Sequence, residues 1–198
     1  IHDPDMDPLA SRDSDKSGFG SAYANHFDMT ARVTGTMKVR GKSYDVDCIS
    51  TMDHSWGPRA ERGLRPMGWI NANFDKETAF QTIWTFDPLA SEEEQFELAH
   101  GYALIGGKVS GLTAGQIRAV RGGGKSVFPH SYEASLTDVD GRTHTLFGTV
   151  VAQHPWACYS CSLPIMSLVR WRYNELEGSG QAQENWPLDL LTGRGLRP

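Results

Sequence analysis

The chain predicts an all-β fold: an antiparallel barrel or sandwich of about 8–10 short strands, with little helix. Three features point there. Apolar and polar residues alternate with period two over several stretches. Turn-forming pairs, Arg40-Gly41 and Asp140-Gly141 among them, separate those stretches. Glycine accounts for 21 of 198 residues and aromatics for 10%, a mix that suits many turns and a β-rich core rather than a helical bundle.

The elements follow in chain order. Residues 1–25 read as a flexible acidic arm or inter-domain linker, because Asp3, Asp5, Asp7, Asp13 and Asp15 with Pro4 and Pro8 offer little to bury. Residues 26–192 form the β-domain, and residues 193–198 a tail. Phe27, Met29, Ala31, Val33, Met37 and Val39 alternate with Asp28, Thr30, Arg32, Thr34, Thr36 and Lys38, which predicts the first strand. A turn at Arg40-Gly41-Lys42 leads to its hairpin partner, which starts at Tyr44.

Later strands are predicted at Met67–Phe74, Ala79–Phe86, Phe96–Ile105, Gly115–Arg121, Tyr132–Thr137, Thr143–Ala152, Ser167–Tyr173 and Gly178–Glu184. Asp140-Gly141 is a type I′ signal. Asp87–Gln95 reads as a single helical turn capped by Ser91.

Charge and composition exclude several classes. Lys plus Arg total 19 against 24 for Asp plus Glu, a net charge of -5, so neither a nucleic-acid groove nor an anionic membrane surface is the expected partner. No apolar run reaches the length of a membrane span. Three cysteines cannot all pair internally and no Asn-x-Ser/Thr acceptor occurs, which points to a reducing, cytoplasmic setting.

Some motifs fail on inspection. Gly122-Gly123-Gly124-Lys125-Ser126 has Ala119 where a phosphate loop needs glycine, and Pro129 interrupts any following helix, so it reads as a glycine-rich hairpin. Cys158 and Cys161 have knuckle spacing, but too few further ligands exist for a structural zinc site; they read as small buried strand residues. No metal and no cofactor is expected.

The chemically dense segment is Asp53-His54-Ser55-Trp56-Gly57-Pro58-Arg59. His54 can move a proton near neutral pH, and Asp53 can orient an imidazole or act as an acid. Trp56 offers a flat apolar face, and Arg59 can clamp a carboxylate or steady an enolate. Adjacent strand residues face opposite sides, so Asp53 and His54 do not form a dyad with each other. Tyr44, Val46, Cys48, Met52, His54 and Trp56 share one mostly apolar face, which predicts that His54 and Trp56 point to the interior. The bland alternative gives Asp53 and Ser55 to a local turn, Trp56 to a barrel plug and Arg59 to a surface ion pair.

This segment resembles the signature of two-domain lipocalin-like proteins of the AttH and carotenoid 1,2-hydratase type, in which a D-(H/R)-S-W-G-x-R element is followed by a strand-opening tryptophan, here Trp69. The strand pattern is similar over most of residues 25–190. Relatives often close with Gly-x-Gly-x-x-Glu; here Gly178 and Gly180 are followed by Gln183, with Glu184 one place late.

The resemblance implies a lipocalin-like β-barrel and cofactor-free acid/base chemistry of the hydratase, lyase, cyclase or isomerase kind. The substrate would be a hydrophobic small molecule such as a terpenoid, steroid or aromatic compound. Asp53 or His54 would transfer the proton and Arg59 would hold an oxygen. Trp56, Trp69, Trp84 and Tyr102 would line the pocket, with a core role for Trp69 and Trp84 as the competing reading. Tyr23, His26 and His100 are further polar groups within reach of the argument. The family's site lies between two domains, so an N-terminal sibling domain or second chain is an expected partner. The rival readings are a non-catalytic carrier of a hydrophobic ligand and a module that docks the sibling domain.

Overall fold

A computed structural model describes residues 25–57, 66–122 and 126–192. Ten antiparallel strands are present: β1 (Asn25–Val39), β2 (Lys42–Trp56), β3 (Met67–Asp75), β4 (Thr78–Phe86), β5 (Phe96–Ile105), β6 (Lys108–Arg121), β7 (Pro129–Asp138), β8 (Thr143–Pro155), β9 (Ser162–Tyr173) and β10 (Leu176–Pro187). Strands β3 to β10 close into an eight-stranded barrel in which each strand pairs with its chain neighbours and β10 returns to β3. β1 and β2 form a separate two-stranded ribbon, from Asn25 opposite Trp56 to Val39 opposite Lys42. Closure removes the edges of the main sheet.

The barrel has two unlike ends. Tight turns at residues 76–77, 106–107, 139–141 and 174–175 close one, and the longer connections 87–95 and 156–161, with the described residues 122 and 126–128, lie at the other. A side chain every second residue along β3 to β10 fills the interior, with Trp84, Trp171, Tyr132, Phe80, Ile117 and Leu146 all 2% exposed or less. A gap among Phe80, Trp84, Leu146 and Trp171 holds only ≈ 10 Å³ for a water-sized sphere, which is about the minimum for one molecule. Among the described residues the middle of the barrel is a packed core.

The closing seam explains the Gly-x-Gly element. A Cβ at Gly180 would lie well under 3.0 Å from the Asn71 carbonyl oxygen, and one at Gly178 equally close to that of Asn73. Only glycine lets β10 approach β3 this closely. The two strands keep one register there, and the Asn71 side-chain oxygen accepts the Gln181 backbone N–H at 3.2 Å.

Several local expectations are corrected. Asp140-Gly141 does make a hairpin, but not a type I′ turn. Gly141 has φ +77 while Asp140 stays out of the left-handed region, and Gly141 N–H donates to Asp138 O at 2.9 Å. This three-residue loop is held by the Asp138 carboxylate, which accepts the N–H groups of Asp140 (3.0 Å) and Arg142 (2.9 Å).

Asp87–Gln95 forms turns rather than a helical turn; the Ser91 hydroxyl donates to the Glu94 carboxylate at 3.1 Å instead of capping a backbone N–H. A four-residue helix, α1 (Leu188–Leu191), lies where no strand or helix was expected, too short to show a periodicity. Cys158 is exposed in the β8–β9 loop and Cys161 half-buried beside it, so neither is a buried mid-strand residue. Residues 123–125 of the glycine-rich stretch lie outside the described residues. Among the described residues no helix is long and apolar enough to cross a membrane.

Asp138 makes a pH prediction. Burial pushes its carboxyl upward, but the Arg142 backbone N–H, His144 and the Arg142 guanidinium outweigh that and hold it down at about 2. A carboxyl depressed in the folded state stabilises above its unfolded value of about 4. That contribution is lost as pH falls from there through about 2. Acid titration followed by tryptophan fluorescence should therefore give a later acid transition for the wild type than for Asp138→Asn. Coincident transitions would remove Asp138 from the account.

Candidate functional site

The ribbon buries the face that the sequence reading took for its outer one. On β1 the polar His26, Asp28 and Thr30 are 4%, 8% and 1% exposed, whereas Phe27, Met29 and Ala31 on the other face are only half-buried; from Arg32 to Val39 both faces are exposed. The reason lies beneath the ribbon. Trp69 and Asn73 on β3, Ile83 and Gln81 on β4, and His100 and Tyr102 on β5 point out of the barrel and meet the polar face. A polar surface on the barrel selects the polar side of the ribbon, because buried polar groups need partners.

The partners are specific. Trp69 Nε1–H donates to Asp28 Oδ1 at 2.9 Å, and His26 Nε2 lies 3.1 Å from Asp28 Oδ2. The Thr30 hydroxyl is 2.7 Å from the Tyr102 hydroxyl and 3.2 Å from that of Thr51. Thr51 Oγ1 in turn donates to Asn73 Oδ1 at 2.8 Å. Gln81 is 1% exposed, and its Nε2 has no partner among the described residues.

Burial pushes the Tyr102 hydroxyl well above the usual tyrosine range; the Thr30 hydrogen bond pulls it back and the Asp28 charge raises it again. Tyr102 therefore stays protonated and can donate. Asp28 bound to an imidazole is a proton-relay pair, and a carboxylate accepting an indole N–H is fixed in orientation.

The sequence-predicted residues divide between places. Trp69 and Tyr102 are in this seam. Asp53 stands directly opposite Asp28 in the ribbon register, on the same face, but exposed. Opposed carboxylates on neighbouring strands are unfavourable for stability alone.

His54 and Trp56 are corrected: they do not point to the interior. They sit on the ribbon's solvent face, where Phe27 stacks on His54 with centroids 5.6 Å apart and Trp56 tilts against it at 5.2 Å. Trp56 is 45% exposed. As expected, Asp53 and His54 face opposite sides.

Trp84 is likewise not at the seam; it is wholly buried inside the barrel and donates to Thr82 Oγ1 at 2.8 Å. Arg59 and Tyr23 lie outside the described residues. Among the described residues no group of three His, Cys, Asp or Glu side chains could hold a metal ion.

Asp28 and Thr30 were missed, read as polar spacers between the apolar residues. Their signal was available, because His26, Asp28 and Thr30 themselves recur with period two and mark a polar face as clearly as an apolar one.

Comparison with known proteins gives two results. A family model described as "Domain of unknown function (DUF7064)" matches residues 2–188. The fold is similar to that of kievitone hydratase from Nectria haematococca, with a TM-score of 0.51 and 11% identity over 82% of this chain and 52% of that one. This chain thus spans about half the length of that structure. No curated protein matches it.

Proposed function

The chain belongs to the DUF7064 family, and from that premise we propose that it contributes the acid/base site of an enzyme of the hydratase or lyase type acting on a hydrophobic small molecule. The observation that carries this reading is the buried Asp28 carboxylate, held by Trp69 and His26, with a buried, protonated Tyr102 bound to Thr30 two residues along the same face of β1. Apolar residues of similar volume would often be as stable, which makes a buried set of this kind a candidate for chemistry beyond packing.

In water addition to a double bond, the proton goes to one carbon and the hydroxyl of water to the other. The Asp28–His26 pair would move the proton, with His26 passing it to or from Asp28. The Tyr102 hydroxyl would donate to a substrate oxygen as charge develops there. Asp53, exposed at the rim beside Asp28, would orient water or a substrate hydroxyl. Trp69 is a positioning residue, fixing the Asp28 carboxylate through its indole N–H. The fold likeness to a protein named as a hydratase supports this class of reaction without specifying a substrate.

The apolar face of the ribbon favours a second reading alongside the first. Met37, Val39, Tyr44, Met52 and Trp56 are each at least 41% exposed along one ribbon face, a surface suited to another domain or chain. In that arrangement the partner would complete the site rather than replace it.

The test is a screen of hydrophobic alkenes and enones, taken from unsaturated terpenoids, steroids and aromatic compounds, in heavy-oxygen water, read by mass spectrometry. Incorporation of labelled oxygen into one product class, dependent on the protein, is the expected result. A screen of the full-length protein with no labelled product and no loss of water from the hydroxylated analogues would overturn the proposal.

A further inference from the structure

The β8–β9 loop carries a pair of thiols that the seam chemistry does not use. Cys158 is exposed and Cys161 half-buried, three residues apart, at the end of the barrel opposite the tight turns. Trp156, Ala157 and Ser160 around them are exposed as well, so small reagents reach the loop from solvent.

The backbone at the pair is already held. The β8–β9 ladder runs to Pro155 opposite Ile165, and Trp156 N–H donates to Pro164 O at 2.8 Å. The chain must therefore reverse within a few residues, and it bends at Tyr159, Ser160 and Cys161. Cys158 N–H donates to Trp156 O at 2.9 Å, and Cys161 O accepts the Leu188 N–H at 3.0 Å. Residues three apart across a reversal approach to about 7 Å between Cα atoms, at the upper edge of the span a disulfide bridges. With the backbone fixed on both sides, little entropy remains to be lost when the thiols join.

Cys48 does not compete. The ribbon meets β3 at Trp69 through Asp28 and at Asn73 through Thr51, so it runs toward the tight turns, and Cys48 lies three residues further out. It is exposed at the opposite end of the molecule from the other two cysteines.

We propose that Cys158 and Cys161 form a reversible dithiol–disulfide site whose closure stiffens the seat of α1. The Cys161 carbonyl accepts the first N–H of that helix, and Leu190 and Leu191 of the helix wall a pocket of ≈ 410 Å³ together with Trp186. The oxidant is glutathione disulfide. One cysteine thiolate attacks its S–S bond, forms a mixed disulfide and releases one glutathione thiolate. The second cysteine thiolate attacks the protein sulfur of that mixed disulfide and releases the other glutathione. Two protons and two electrons leave the protein, and one glutathione disulfide becomes two thiols. Partial burial pushes the Cys158 thiol up, so the exchange quickens as pH rises. The site is independent of the seam reading.

Equilibration of the native protein with oxidised glutathione, then alkylation, digestion and mass spectrometry, tests it. The expected product is a peptide spanning Cys158 and Cys161, unalkylated and lighter by about 2 Da for two lost hydrogens, while Cys48 is alkylated or carries glutathione. Cys161→Ser should stop at a mixed disulfide on Cys158, with an unchanged melting temperature. Should that variant melt early, Cys158→Ser at the exposed position serves in its place, with the adduct on Cys161. Hydrogen exchange at the Leu188 amide should slow about tenfold on oxidation of the wild type and stay unchanged in the serine variant. Alkylation of both cysteines after oxidation, mixed disulfides that persist equally with and without the second cysteine, or a disulfide that leaves Leu188 exchange unaltered would each overturn the proposal.

Discussion

Asp28→Asn is expected to lower turnover by roughly 10²- to 10⁴-fold while moving the melting temperature by only a few degrees. Asn keeps the volume of Asp28 and an oxygen for the Trp69 indole N–H, so the packing of the ribbon on the barrel survives. It removes the negative charge and the protonatable oxygen that face His26 Nε2. A purely structural Asp28 would show the opposite pattern, with stability lost and activity per folded molecule kept.

The companion variants sharpen the comparison. Tyr102→Phe removes the hydroxyl that meets Thr30 and that would donate to the substrate oxygen when Thr30 supplies the proton between them, and should cost about 10- to 100-fold in kcat with a smaller change in KM. His54→Ala alters a side chain on the ribbon's solvent face and should leave the Asp28 chemistry in place. Turnover abolished by His54→Ala and untouched by Asp28→Asn would move the site to the other face of the ribbon and end the seam assignment.

Gly180→Ala should be among the most destabilising single substitutions in the chain, costing about 3–5 kcal/mol. The added methyl group has no soft neighbour to displace. It meets the backbone carbonyl of Asn71, part of the strand that closes the barrel. Against a typical total stability of about 5–15 kcal/mol, that cost threatens the folded state itself. Ser179→Ala, one residue away with its side chain exposed, should stay within about 0.5 kcal/mol. Denaturant midpoints for the two variants check this directly. A Gly180→Ala protein as stable as wild type would mean that the seam can widen, and that closure is not set by backbone contact.

The two expectations draw on different kinds of legibility. The strands could be read one residue at a time, because a strand's signature is local. Alternation gave β1 within two residues, and Phe96–Ile105 coincided with β5. The short helix at Leu188–Leu191 and the loop geometry at Asp140-Gly141 could not be read so closely. One is shorter than its own period, and the other depends on where the Asp138 carboxylate reaches. Trp69 and Tyr102 were picked out from the chain, yet their partners Asp28 and Thr30 were not, since nothing local links β1 to a residue some seventy positions on (|i−j| = 72 for Thr30 and Tyr102).

The amino-acid order alone determined that the protein is an antiparallel β-structure with period-two faces, and that Asp53 and His54 must part to opposite sides of one strand. Tertiary structure decided which face is inside. The alternation of the ribbon has two equivalent phases for burial, and hydrophobicity favoured the apolar one. The barrel wall presented Trp69, Tyr102 and Asn73, whose donors and acceptors needed partners, so where the ribbon docks, at His26, Asp28 and Thr30, the polar phase was buried instead. A long-range demand for hydrogen bonds thereby overrode a local preference for burying methyl groups and rings.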